Sequence, residues 1–169
     1  FVRSDSDKLS WSNSPLLVLL QFVDPNGMSG REHEPLQEGE MRVTPLHDLN
    51  YMADSSEYPT HEKQLILAKQ LLEHGANVNA VTIPEGKTPL HIACYTNVVT
   101  NLDFVELLLE ECADPNSQDR WGMTPLMMTT PDAPGAAKFL LNWPTTDANI
   151  TTRSGASFLA NVRWTITAN

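Results

Sequence analysis

The sequence predicts an all-α solenoid: helix-turn-helix units stacked side by side and joined by β-hairpin loops, about three of them well formed, with degenerate or partial units at the ends. Three observations predict it. Thr-Pro-Leu recurs at Thr44-Pro45-Leu46-His47, Thr88-Pro89-Leu90-His91 and Thr124-Pro125-Leu126-Met127, with a weaker copy at Ser157-Phe158-Leu159, separated by 44, 36 and 33 residues. Asn-bearing turns, Ala76-Asn77-Val78-Asn79, Ala113-Asp114-Pro115-Asn116 and Asp147-Ala148-Asn149, precede the later copies in step. Between turn and helix start lie Gly86, Gly122 and Gly155, each two residues before the Thr or Ser.

The elements follow in chain order. Asp24-Pro25-Asn26 matches Asp114-Pro115-Asn116 at an offset of 90, and Leu17, Val18 and Leu19 then fall on Leu107, Leu108 and Leu109, so a degenerate unit is expected over 1–43. Complete units are expected over 44–87, 88–123 and 124–156, and a partial one over 157–169, all in one domain. Thr88 caps a helix by accepting a backbone N–H, and Pro89 suits the first helical position, where no N–H is needed. Leu90 and Ala93 face the stack. In the second helix Val105, Leu108 and Leu109 form an apolar stripe, leaving Glu106, Glu110 and Glu111 toward solvent. Gly75 stands where a left-handed C-terminal cap is expected, and Gly122 where a hairpin turn uses positive φ. Phe158-Leu159-Ala160 begins another inner helix. The chain opens on Phe1 and stops at Asn169 before a full outer helix, so the native chain is expected to continue.

These motifs resemble the ankyrin-repeat family, whose pattern runs Gly-x-Thr-Pro-Leu-His, a short helix, a Leu-rich second helix, then Gly-Ala-Asp-x-Asn. Gly86-Lys87-Thr88-Pro89-Leu90-His91-Ile92-Ala93 and Leu71-Leu72-Glu73-His74-Gly75-Ala76-Asn77-Val78-Asn79 are the best copies. The resemblance implies that His47 and His91 fix hairpins by bonding nearby backbone and side chains rather than acting in catalysis. It also implies that Asn79, Asn116 and Asn149 stand where family members can be hydroxylated, although bonding of the turn backbone suffices to explain them. Extra residues fall between helices, at about Asn97 to Asn101 and much of Asp54 to Glu62, and in a hairpin connection over Gly27 to Val43. That last insert carries Glu32, Glu34, Glu38 and Glu40 and lies, by the resemblance, beside the binding face; a solvated loop is its plainer reading.

The residues offer little catalytic chemistry. No Gly-rich phosphate loop, His-Glu-x-x-His or Gly-x-Ser-x-Gly occurs, so no enzyme activity and no cofactor are expected. Glu32-His33-Glu34 could ligate a metal, but three adjacent loop residues define no site. Cys94 and Cys112 are too few for a disulfide framework and suit packed thiols in a reducing, intracellular setting. His61 and His74 read as surface residues. The apolar run Leu16-Leu17-Val18-Leu19-Leu20 is far shorter than the roughly 20 residues that span a bilayer, so membrane insertion is not expected. With 11 Lys+Arg against 21 Asp+Glu the net charge is −10, which opposes binding to nucleic acid and favours a basic or neutral partner surface.

The expected function is binding of a protein partner, in isolation or within a larger complex or enzyme whose catalytic part lies elsewhere. Stacked repeats bind through hairpin tips and the concave inner-helix face. The tip residues are Pro84, Glu85, Lys87, Arg120, Trp121 and Met123; on the inner helices the exposed candidates are Tyr95, Thr96, Met128 and Thr129. Trp121 and Tyr95 stand out because aromatics with Arg dominate interface hot spots, and packing of Trp121 on the neighbouring hairpin is the structural alternative. In a permanent assembly the apolar end near Phe158 and Trp164 would join the interface.

Overall fold

A computed structural model describes residues 24–28, 41–51, 61–95, 102–129 and 134–159. Among them run six helices: α1 (Pro45–Tyr51), α2 (His61–Glu73), α3 (Pro89–Tyr95), α4 (Leu102–Glu110), α5 (Pro125–Met128) and α6 (Pro134–Asn142). Short helices that begin at Thr-Pro alternate with longer Leu-bearing ones. Each short helix packs on its longer successor, α1 on α2, α3 on α4 and α5 on α6, and like stacks on like: α1, α3 and α5 form an inner layer, α2, α4 and α6 an outer one. The expected helices at Leu17 to Leu19, the inter-helix inserts, the Glu32-His33-Glu34 stretch and most of its hairpin insert, Thr96 and Trp164 lie outside the described residues, as does the side chain of His61.

The apolar positions of both layers meet in one core. Leu46, Leu90 and Leu126, the Leu of each Thr-Pro-Leu, are fully buried, and Ala93 joins them. From the outer layer come Leu71, Phe104, Val105, Leu107, Leu108, Leu109 and Leu140, while Glu106, Glu110 and Glu111 stay exposed. Removing this apolar surface from water stabilises the stack at about 25 cal/mol per Å².

Two outer helices end in the same Schellman turn. Ala76 N–H reaches Leu71 O (2.9 Å) and Gly75 N–H reaches Leu72 O (3.0 Å); Ala113 N–H reaches Leu108 O (2.8 Å) and Cys112 N–H reaches Leu109 O (3.1 Å). That geometry needs a left-handed residue, and Gly75 supplies it at φ 89° without steric cost. Cys112 occupies the same place at φ 66°, its Cβ crowding the backbone.

The turns that follow carry the asparagines in register. Asn26 donates from Nδ2 to Gly75 O (3.0 Å) and accepts the Asn77 N–H. Asn79 does the same with Cys112 O (3.2 Å) and Asp114 N–H (2.9 Å), and Asn116 with Thr145 O (2.7 Å) and Asp147 N–H (2.8 Å). Each asparagine thus binds the turn of the next repeat. Asn26 takes part as fully as the others.

The left-handed turn generates a test. Cys112→Gly should raise stability by about 1 kcal/mol, read as a higher urea midpoint, because the left-handed cost of a non-glycine residue disappears. Gly122→Ala should do the reverse by more than that: Gly122 has φ 78° and a Cβ there would meet Arg153 N at 2.8 Å. Equal midpoints for both variants and the parent would contradict this account of the turns.

Candidate functional site

The hairpin tips are built from a repeated turn. Thr82, Asp119 and Thr152 open it, and Gly86, Gly122 and Gly155, at φ 72°, 78° and 82°, close it by donating N–H to the carbonyl of the opening residue (2.8, 2.9 and 2.9 Å). The opening side chain then binds the turn backbone. Thr82 Oγ1 accepts the Lys87 N–H (3.0 Å), and Asp119 Oδ1 accepts both Trp121 N–H and Met123 N–H at 2.9 Å. Asp119 is almost wholly buried, so it positions Trp121 rather than meeting a partner. The sequence reading missed it, although an Asp before a tight turn ending in Gly is a recognisable signal.

Backbone bonds tie each tip to the next. Arg42 and Ile83 exchange N–H···O bonds of 2.8 and 3.0 Å, Arg120 N–H reaches Glu85 O (2.9 Å), and Arg153 N–H reaches Trp121 O (3.0 Å). Gly122 allows the last approach, since the Arg153 backbone and the start of its side chain lie where a Cβ would project. The tips therefore form one continuous row.

Beneath them the two histidines act as struts. Thr44 N–H donates to His47 Nδ1 (3.2 Å), which makes Nδ1 an acceptor and leaves the proton on Nε2, where it is donated to Lys87 O (3.0 Å). His91 repeats this with Thr88 N–H (3.1 Å) and Met123 O (2.9 Å). The threonine hydroxyls lie 2.8 Å from each Nδ1, and Thr88 Oγ1 also accepts the His91 N–H at 3.4 Å, the cap expected from the motif. Burial pushes the His47 pKa from its ordinary 6.5 down to about 4 and lowers that of His91 as well. A second proton would also set an Nδ1–H against the threonine N–H that now donates to it.

On this frame the predicted binding residues divide. Trp121 is 43% exposed, with the Arg120 guanidinium 4.6 Å and the Lys87 ammonium 5.6 Å from its ring centre. Lys87 also pairs with Glu85 at 2.8 Å. Glu85, Lys87, Arg120 and Trp121 are thus brought together, and Trp121 touches the neighbouring hairpin through Lys87 while leaving much of its ring open. Pro84, after a cis peptide bond, is exposed on the same hairpin as Glu85, and Tyr95, at the end of α3, is 60% exposed. Met123, Met128 and Thr129, expected on the open surface, are only half-exposed. Both methionines pack against the core. For Met128 and Thr129 the reason lies in α5, which stops after four residues when Thr129 turns extended and bonds Leu126 O through its own hydroxyl (2.8 Å).

Of the remaining candidates, Cys94 is buried, which pushes its thiol pKa up and away from nucleophilic use, and Cys112 is exposed; both thiols are free. Among the described residues no three His, Cys, Asp or Glu side chains group as a metal site would require, and no helix is long and apolar enough to cross a membrane.

Tips on a two-layer helical stack, tied by histidine and asparagine, define a repeat protein. A model of ankyrin repeats matches residues 59–154 in three copies, more than half of the chain, and the chain belongs to the ankyrin-repeat family. It is 43% identical over 76 residues to the ankyrin repeat and LEM domain-containing protein 1 homolog of Caenorhabditis elegans, covering 45% of this chain and 10% of that protein. It is 34% identical over 105 residues to the 2-5A-dependent ribonuclease of Homo sapiens, 60% of this chain and 13% of the other. Against the neurogenic locus Notch protein of Drosophila melanogaster the identity is 29% over 164 residues, 90% of this chain and 6% of that one. The match thus spans 13% or less of each of these relatives.

The strut geometry generates a pH test. The unfolded chain takes up a proton at His47 near pH 6.5, whereas the folded chain resists it until about pH 4. Stability is therefore full above pH 6.5 and falls as the pH drops through that window, by about 3 kcal/mol at His47 alone. His91 adds in the same direction. Urea midpoints measured from pH 7 to pH 4 should show this fall, and His47→Gln, weaker at pH 7, should flatten it. An unflattened slope would remove His47 as its source.

Proposed function

We propose that the chain is a protein-interaction module that holds a protein partner on its hairpin tips and the adjoining inner-helix face, with Trp121 as the anchor. Ankyrin repeats are in general protein-interaction modules, and what supports this particular surface is the state of Trp121. It is a large aromatic left 43% exposed on a tip whose backbone is bonded by Asp119 on one side and Arg153 on the other. An aromatic already held in place loses little conformational freedom on binding, and desolvated aromatics with Arg carry much of the energy of protein interfaces. Tyr95, Pro84 and the exposed part of Glu85 and Lys87 extend the surface. The reading includes neither nucleic acid nor membrane insertion, and it places the protein inside the cell, where the free thiols Cys94 and Cys112 stay reduced.

A second reading, that these repeats are the binding segment of a larger assembly or enzyme, draws support from the relatives. In each the matched stretch is a small part of a longer protein, and one of them is by name a ribonuclease.

Peptide ligands selected by display against the folded chain test the surface. Trp121→Ala should weaken a selected ligand about tenfold or more while shifting the urea midpoint little, and Glu106→Ala on the outer layer should leave affinity unchanged. Unchanged affinity of a folded Trp121→Ala protein, measured by calorimetry, would sink the assignment.

A further inference from the structure

Among the described residues, the charges around Trp121 differ from those of the outer edge. The described outer helices and their turns carry the exposed carboxylates Glu62, Glu73, Asp103, Glu106, Glu110 and Glu111, against the two exposed lysines Lys69 and Lys138. The tip row is different. Among the described residues the tips present Lys87, Arg120 and Arg153, whereas their carboxylates are Glu85, already paired with Lys87, and Asp119, buried and bonded to the turn backbone. Backbone bonds hold these tips in one row, and two of the cations lie against a single ring. Arg120 and Lys87 lie against Trp121, and the Arg153 side chain starts beside Gly122.

We propose that the tip row recognises a short acidic segment of a protein partner, one apolar or aromatic residue seated on Trp121 and the flanking carboxylates on Arg120 and Arg153. This deepens, and rests on, the reading of the tips as the docking surface. Arginine offers a planar fork matched to carboxylate, and both of these arginines are exposed. Two exposed arginines about one ring match a short segment rather than a long polyanion. A nucleic-acid strand long enough to leave the row would bring its phosphates toward the acidic remainder of a chain of net charge −10. The overall charge thus misstates the partner, because the described tips around Trp121 are complementary to acid.

A random-peptide display on the folded protein tests this. Enrichment of Asp and Glu around an aromatic or aliphatic residue is expected, with affinity falling as salt rises from low to physiological strength. A selected peptide should bind about tenfold more weakly to Arg120→Glu and several-fold more weakly to Arg153→Glu, and should lose most binding when its carboxylates are replaced by amides. Arg120→Gln, with folding checked by circular dichroism, gives a milder version of the same loss. Neutral or basic peptides that still depend on Trp121 would overturn the acidic specificity and leave the docking surface standing. Ligands indifferent to both Trp121→Ala and Arg120→Glu, or no ligand at all, would overturn both. Tighter binding of a single-stranded oligonucleotide than of the best peptide would assign the row to phosphate and overturn the proposal.

Discussion

Each repeat is anchored to the next by a side chain that bonds its neighbour's backbone at a fixed place. On the tip edge a histidine Nε2 donates to a carbonyl of the following hairpin; on the opposite edge an asparagine grips the following turn with both amide atoms. The core between them is apolar and non-directional, and it would tolerate small slips of one repeat on another. Hydrogen bonds to particular backbone atoms do not. Because the histidine is buried and its Nδ1 is already used as an acceptor, the strut requires a neutral ring, and the fold inherits a sensitivity to acid from its own spacing device.

The ankyrin architecture was legible in the sequence wherever the backbone admits few residue types. Positive φ at Gly86, Gly122 and Gly155, the cap at Thr88 and the bidentate grip of Asn79 and Asn116 each demand a small set of side chains, so they recur and can be found by self-comparison. Cys112 was not legible as a left-handed cap, because packing and the two Schellman bonds impose that conformation on a residue that does not announce it. Exposure on α5 is not legible for a related reason. A repeat phase assigns positions, but it does not foresee a helix that ends after four residues and turns Met128 toward the core.

The site was legible in part. An aromatic beside Arg at a tip could be picked out from the phase alone, and among the described residues no layer covers the tips. What net charge conceals is the balance at any one face, because it is a sum over all faces while a partner meets only one. Asp119 shows the difference at a single residue: it counts as one negative charge in the composition, yet it is buried under the tip with Oδ1 accepting two backbone N–H groups.

The third repeat joins spacing to site. Met127 stands where His47 and His91 stand in the repeats before it, so no imidazole runs from α5 to the fourth hairpin, and Thr124 makes no side-chain cap. That hairpin is held instead from the tip and the turn: Arg153 N–H bonds Trp121 O, Gln118 Nε2 bonds Thr151 O at 3.0 Å, and Asn116 grips Asp147. The position of Arg153 is consequently tied to the backbone of Trp121 itself rather than to a strut beneath it. The Trp121 tip itself rests on a strut, His91 Nε2 to Met123 O, and is bonded sideways through Arg120 N–H to Glu85 O, whereas the fourth hairpin hangs from it by tip and turn alone. Among the described tips, that of the tryptophan is therefore the last that a histidine supports.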